Sequence, residues 1–186
     1  MKRFDTAKLA MSIFIASEAI FFAFLIAAYI YYYGAVVHGP SARNSLDPPR
    51  TLIFTICLLA SSGTLWLAER RLSAARKREF RMWLGATIVL GAAFIFGQAM
   101  EYLGLITKSI TPARNLFGAT FFTLTGFHGL HVLFGLISLS VLFVLTFLRG
   151  FGQKEFSGVG AISMYWHFVD AVWIVIFSLV YLSVWL

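Results

Sequence analysis

Five long apolar runs constrain this chain more than any other feature: residues 9–33, 50–68, 82–106, 116–148 and 160–185. Each comes up to the roughly 20 mainly apolar residues that a helix needs to cross a bilayer. Lipid offers the backbone no hydrogen-bond partners, so each run must satisfy its own N–H and C=O groups, and it does so as a helix. The expected architecture is an all-α integral membrane bundle of five transmembrane helices, one membrane domain over residues 1–186. Composition agrees, with 60% hydrophobic and 12% charged residues and a mean hydropathy of +0.83. A soluble domain carries about a quarter charged residues. The fourth run is longer than a bilayer requires, so it tilts or projects. The breaks fall at "HGPSARNSLDPPR", "ITPARN" and "RGFGQKEFSG", where Gly, Pro, Asn and Ser end helices.

The net charge of +7 is unevenly spread. "ERRLSAARKREFR", Glu69 to Arg81, holds six of the fifteen basic residues between two apolar runs. That pattern fits a cytoplasmic loop at an anionic membrane surface and argues against a nucleic-acid-binding face. With the N-terminus cytoplasmic, only Arg43, Arg50, Lys108 and Arg114 lie outside, and the other eleven, including Lys2, Arg3, Arg149 and Lys154, lie inside. The positive-inside rule therefore predicts a cytoplasmic N-terminus and a periplasmic C-terminus. "MKRFDTAK" looks like the basic region of a signal peptide, but the apolar run behind it is too long and no small-residue cleavage site follows, so it is expected to stay as a helix. Cys57 stands alone in an apolar run, is expected to be a small core residue, and leaves no disulfide framework. Trp66, Trp83, Trp166 and Trp185 near the run ends read as interfacial anchors.

Three acids sit within the runs: Glu18, Glu101 and Asp170. An acid at a helix centre costs about 3 kcal/mol on insertion, against a gain of about 0.3–0.6 kcal/mol for each Leu, Ile or Phe. The first run holds eleven such apolar residues, enough to carry Glu18 into the membrane. An acid with this cost and no evident folding benefit is a candidate functional group. At about 100° per residue, Gln98, Glu101 and Tyr102 share a face with Thr87 and Gly91. His167 and Asp170 share one with Ser163, Ser178 and Tyr181. Such faces turn toward other helices. The first run also has a small-residue stripe, Ser12, Ala16, Ala19, Ala23 and Ala27, suited to close helix packing, with Glu18 about a third of a turn away. By axial count, Glu18, His128, His131 and Asp170 fall near mid-bilayer, and Gln98 and Glu101 fall in the outer half.

In "TGFHGLHVLFG", His128 and His131 share one helix face. A small metal ion, a haem or a structural hydrogen-bonding role would each suit histidines at this spacing. A metal wants further ligands, for which His167 is a candidate, whereas Gly126 and Gly129 suit tight packing better than a cofactor pocket. Structural bonding is the favoured reading, with His128 and His131 expected to tie the fourth helix to the third through Glu101. No phosphate-binding loop, nucleophile triad, Cys-rich metal motif or dinucleotide fingerprint is present.

Four stretches in order, "SEAIFFAFLIAAY" (17–29), "GQAMEY" (97–102), "TGFHGLHVLFG" (125–135) and "YWHFVDAVWIVIF" (165–177), make the chain resemble subunit III of the haem-copper cytochrome c oxidases across nearly its whole length. Longer family members have seven helices, and this chain resembles the five-helix form that lacks the first two. The resemblance implies an accessory core subunit of a respiratory terminal oxidase that reduces dioxygen to water with proton pumping. It implies no catalytic residue, haem, copper or other metal on this chain, the redox centres belonging to subunits I and II. It implies bound phospholipid and support of stability and of proton and dioxygen supply. The family's membrane carboxylate maps onto Glu18, and its polar interhelical cluster onto Glu101, His128, His131, His167 and Asp170, which Gln98 joins by position.

The partners implied are subunit I as the main contact, subunit II, a small subunit IV as a further candidate, and cytochrome c as donor to the complex. The expected location is the bacterial inner membrane. A quinol oxidase or a nitric oxide reductase-associated homologue is the alternative within the family. Outside it, the mid-membrane acids leave an independent proton-coupled transporter and a structural chaperone of subunit I as rivals.

Overall fold

A computed structural model describes residues 6–33, 46–114, 116–148 and 156–182. Lys2, Arg3, Arg43, Arg149, Lys154 and Trp185, used above for orientation and anchoring, lie outside the described residues. Among the described residues the chain is all-helical: α1 (Thr6–Tyr33), α2 (Pro48–Ser73), α3 (Lys77–Thr107), α4 (Leu116–Leu145) and α5 (Phe156–Val180). All five are long and apolar enough to cross a membrane.

The basic stretch at 69–81 is not a long loop. Both helices run into it, leaving Ala74 to Arg76 as the whole connection. The end of α2 closes through Ala75 N–H to the Leu72 carbonyl (2.9 Å) and Arg76 N–H to the Arg71 carbonyl (2.9 Å), with Ala75 left-handed at φ 58°. This is the Schellman geometry, here without the usual glycine. The same closure ends α3: Ser109 takes φ 59°, Ile110 N–H reaches the Leu105 carbonyl (3.0 Å), and the buried side chains of Leu105 and Ile110 supply the accompanying apolar contact. Helices continue through the charged stretch because Arg and Lys are good helix formers. Glu79 also bridges Arg71 (3.2 Å) and Arg76 (3.3 Å) across the turn. At the start of α2, Asp47 accepts from Arg50 N–H (3.3 Å), and Pro48 and Pro49 occupy positions where a missing N–H costs nothing.

The short turn makes α2 and α3 an antiparallel hairpin, the most extensive pairing in the bundle. Helix α3 then packs on α4, α4 on α5, and α5 also on α2 and α1, so α5 touches every other helix but α3 in quantity. Trp166 is not an interfacial anchor. It lies mid-helix in α5, fully buried, and donates Nε1–H to Ser61 Oγ (2.9 Å). Two glycines make room for it: a Cβ on Gly91 would stand 2.8 Å from its ring, and one on Gly135 2.7 Å. Trp66 is exposed, with the Arg70 guanidinium 3.7 Å above its ring, and Trp83 is partly buried. Cys57 is half-buried, not a core residue.

Helix α1 is the most peripheral element. It buries Phe22 and Tyr29 and half-buries Met11, Ile15, Glu18 and Leu25 against α4 and α5. Its small-residue stripe, Ser12, Ala16, Ala19, Ala23 and Ala27, is exposed along its length. The close packing expected of that stripe is therefore not made among the described residues.

Candidate functional site

The carboxyl group of Glu18 on α1 meets His131 on α4, with Oε2 3.0 Å from Nε2. The other ring nitrogen, Nδ1, lies 2.7 Å from the Phe127 carbonyl one turn back on the same helix. A carbonyl only accepts, so Nδ1 carries a hydrogen. The contact at Nε2 then has two balanced forms: a protonated Glu18 donating to a neutral imidazole, or an imidazolium donating to a carboxylate. In both, one proton lies between the two side chains, and the two forms differ only by its transfer along the contact.

The pair is held from three sides. Tyr165 Oη on α5 donates to the His131 carbonyl (3.0 Å), and the Phe22 ring stands edge-on to His131 at 4.9 Å. Phe21 and Tyr165 flank the imidazole in near-parallel planes at 6.4 and 6.5 Å. The Glu18 and His131 side chains are 21% and 13% exposed, and they form the floor of an open groove of about 610 Å³ walled by Met11, Phe14, Phe127 and Phe134. The groove is lined mainly by apolar side chains and lies on the lateral surface of the bundle, so the pair faces away from the core.

His128 does something different. It is fully buried, stacked on Trp173 at 4.7 Å and edge-on to Phe94 at 5.8 Å, and neither nitrogen has a hydrogen-bond partner among the described residues. Three residues turn a helix through about 300°, so the two histidines point about 60° apart. In a crowded bundle that offset puts them in different interfaces.

The expected tie from the histidines to Glu101 is not formed. Helices α3 and α4 are antiparallel, and their register is fixed by Gln98 Nε2, which donates to the Thr125 carbonyl (2.7 Å). That register sets His128 level with Phe94 and raises Glu101 to the level of Phe121, about two turns above His128 and nearly three above His131. Glu101 instead accepts from Tyr181 Oη (2.6 Å) and lies 3.1 Å from Thr51 Oγ1. Gln98 also donates to Tyr102 Oη (3.0 Å), which bonds Thr125 Oγ1 (2.8 Å). In the third group, Ser62 Oγ donates to Asp170 Oδ2 and lies 2.9 Å from His167 Nδ1. The hydroxyl has one hydrogen, given to Asp170, so Nδ1–H of His167 donates to Ser62.

The six residues expected to form one polar cluster are thus divided among four sites: His131 with Glu18, His128 in its aromatic cage, Gln98 and Glu101 at the far end of α3, and His167 with Asp170. Sequence reasoning missed the α2 partners of these groups. Thr51, Thr55 and Ser62 recur at spacings of four and seven on one face, together with buried Leu58 and Leu65, and that signal would have found them. Among the described residues no three His, Cys, Asp or Glu side chains converge as a metal site.

These features define a multi-pass membrane protein whose polar side chains join helices, with one carboxyl–imidazole pair turned toward its lateral surface. A sequence model of the family described as cytochrome c oxidase subunit III matches residues 3–185. Subunit 3 of the cytochrome bo(3) ubiquinol oxidase of Pseudomonas aeruginosa is 36% identical over 170 residues, 91% of this chain and 81% of the relative. Cytochrome c oxidase subunit 3 of Corynebacterium diphtheriae is 35% identical over 175 residues, 91% of this chain and 84% of the relative, and that of Bacillus sp. PS3 is 32% identical over 170 residues, 91% and 82%. The chain belongs to the cytochrome c oxidase subunit III family, whose members are accessory subunits of haem-copper terminal oxidases.

Proposed function

We propose that this chain serves its oxidase as a non-catalytic subunit, packed against subunit I in a bacterial inner membrane, with its N-terminus cytoplasmic and cytochrome c as donor to the complex. Relatives include subunits of both cytochrome c and quinol oxidases, so a quinol donor is the second reading. The exposed small-residue face of α1 supports a neighbouring helix from another subunit there, since small side chains let backbones approach. The functional residue on this chain is Glu18. One observation carries that assignment: the Glu18 carboxyl meets the His131 imidazole across two helices, 3.0 Å apart, at the floor of an open and largely apolar groove. In this role the pair holds and returns a proton beside the catalytic subunit, sustaining turnover without performing redox chemistry. The other polar groups brace the bundle.

The test is the endurance of the assembled oxidase. Glu18→Ala leaves assembly and haem content intact and shortens the number of turnovers before activity fades. Wild-type endurance in that variant returns Glu18 to a structural role.

A further inference from the structure

One buried phenol in the bundle meets a half-buried carboxyl. Tyr181 stands one residue past the end of α5, bonded back to it by its N–H on the Phe177 carbonyl (2.9 Å), and is 1% exposed. Its Oη donates to Glu101 Oε2 on α3 at 2.6 Å, and Thr51 Oγ1 on α2 lies 3.1 Å from the other oxygen. A carboxyl held between membrane helices is a costly way to gain hydrogen bonds that an amide or a hydroxyl makes more cheaply. Joining α3 to α5 does not by itself require an acid at this position.

The neighbouring aromatic donors differ in what they donate to. Tyr102 Oη bonds the Thr125 hydroxyl (2.8 Å), Tyr165 Oη the His131 carbonyl (3.0 Å), and Trp173 Nε1–H the Thr55 hydroxyl (3.0 Å). A hydroxyl or a carbonyl accepts a hydrogen bond but does not keep the proton, whereas a carboxylate does both. Of these four groups only Tyr181 donates to a base. A phenol gives up an electron readily only where its proton has somewhere to go, so Tyr181 is the one poised for one-electron oxidation. The Trp173 ring lies 6.2 Å from it, within the roughly 4.5–7 Å of interacting aromatic pairs. Trp173 also lines a cavity of about 220 Å³ between the start of α2 and the end of α3, where a small reagent reaches it. Phe177 stacks on Tyr181 at 5.2 Å and Phe121 stands at 6.4 Å, a shell that keeps water off the ring.

We propose that Tyr181 is a one-electron donor site that quenches oxygen-centred radicals of the peroxyl and alkoxyl class, with Trp173 as electron relay and Glu101 as proton acceptor. The radical takes one electron from the Trp173 indole and, with a proton from water, becomes a hydroperoxide or an alcohol. Tyr181 refills the indole cation radical, and its O–H bond breaks: the electron goes to Trp173 and the proton crosses to Glu101 Oε2. A neutral phenoxyl radical remains beside a protonated Glu101. One electron from a hydroquinone, which is left as a semiquinone and a released proton, restores the phenol as the first proton returns from Glu101.

The experiment is electron paramagnetic resonance of the intact assembly containing this chain, treated in air with an azo initiator that yields such radicals, and frozen. A tyrosyl signal appears that ring-deuterated tyrosine narrows, and in D2O it carries one exchangeable deuteron in hydrogen-bond contact, the one passed to Glu101. Tyr181→Phe loses this component. Glu101→Gln loses it as well, since the amide oxygen still accepts the hydrogen bond but does not hold the proton. Trp173→Phe lowers its yield. Tyr102→Phe, which alters a phenol bonded to a hydroxyl and an amide, leaves it in place. A signal identical in wild type and Tyr181→Phe, a full signal in Glu101→Gln or an unchanged yield in Trp173→Phe overturns the proposal. So does the absence of the exchangeable deuteron in the wild type, a result that needs no variant to fold.

Discussion

The Glu18–His131 contact is open to a double-mutant cycle, and its magnitude tells which form the pair takes. Interhelical hydrogen bonds in membranes average about 0.6 kcal/mol and reach about 1.7 kcal/mol, whereas a bond to a charged group contributes about 1.5–3 kcal/mol. The side chains are 21% and 13% exposed, and that exposure is toward a largely apolar groove, so screening by water is small. Glu18→Ala, His131→Leu and the double variant would be unfolded in mixed micelles. Tryptophan fluorescence serves as the probe, because Trp166 and Trp173 are buried in the core that these helices complete. A coupling of about 0.6–1.7 kcal/mol identifies a protonated acid on a neutral ring, and about 2–3 kcal/mol an ion pair. Glu18→Gln separates the two again, since an amide donates to Nε2 and preserves the neutral bond but not the ionic one. Because independent sites add to within about 0.3–0.5 kcal/mol, a coupling below about 0.3 kcal/mol would refute the pairing.

Other substitutions test the bundle. His128→Phe, which replaces two unpartnered buried nitrogens with carbon inside an aromatic cage, holds stability constant or raises it by about 1 kcal/mol; a loss above about 2 kcal/mol in the same unfolding assay would reveal a partner that the cage conceals. Ala75→Gly relieves a left-handed residue and raises the unfolding midpoint by the equivalent of about 1 kcal/mol, and an unchanged midpoint contradicts the closure described for α2. Gly135→Leu drives a side chain into Trp166 and lowers stability by about 1–3 kcal/mol, while Gly63→Leu stays within about 0.5 kcal/mol. Equal effects of the two would deny the tight seat of Trp166.

Much of the architecture was legible in the chain. The five apolar runs became five helices, because lipid leaves the backbone no other way to bond. Boundaries were less legible. The run of arginines at 69–81 suggests a loop, but charges sit readily on a helix that has left the hydrocarbon, and Ala75 and Ser109 close their helices in a conformation that sequence assigns to glycine. Facing was the least legible property. Lipid and protein interior are both apolar, so the small-residue stripe of α1 does not declare whether it turns inward, and it turned outward. The polar residues themselves were found, but their pairing depends on antiparallel register. One bond, from Gln98 to Thr125, sets Glu101 apart from the histidines and leaves Glu18, on a distant helix, as the partner of His131.

Membership in an oxidase complex is tested most directly by gentle native purification through this chain, followed by an optical spectrum and identification of the chains that accompany it. The account predicts haem absorption together with a large multi-span companion subunit. A chain that purifies intact with neither haem nor such a companion would contradict it.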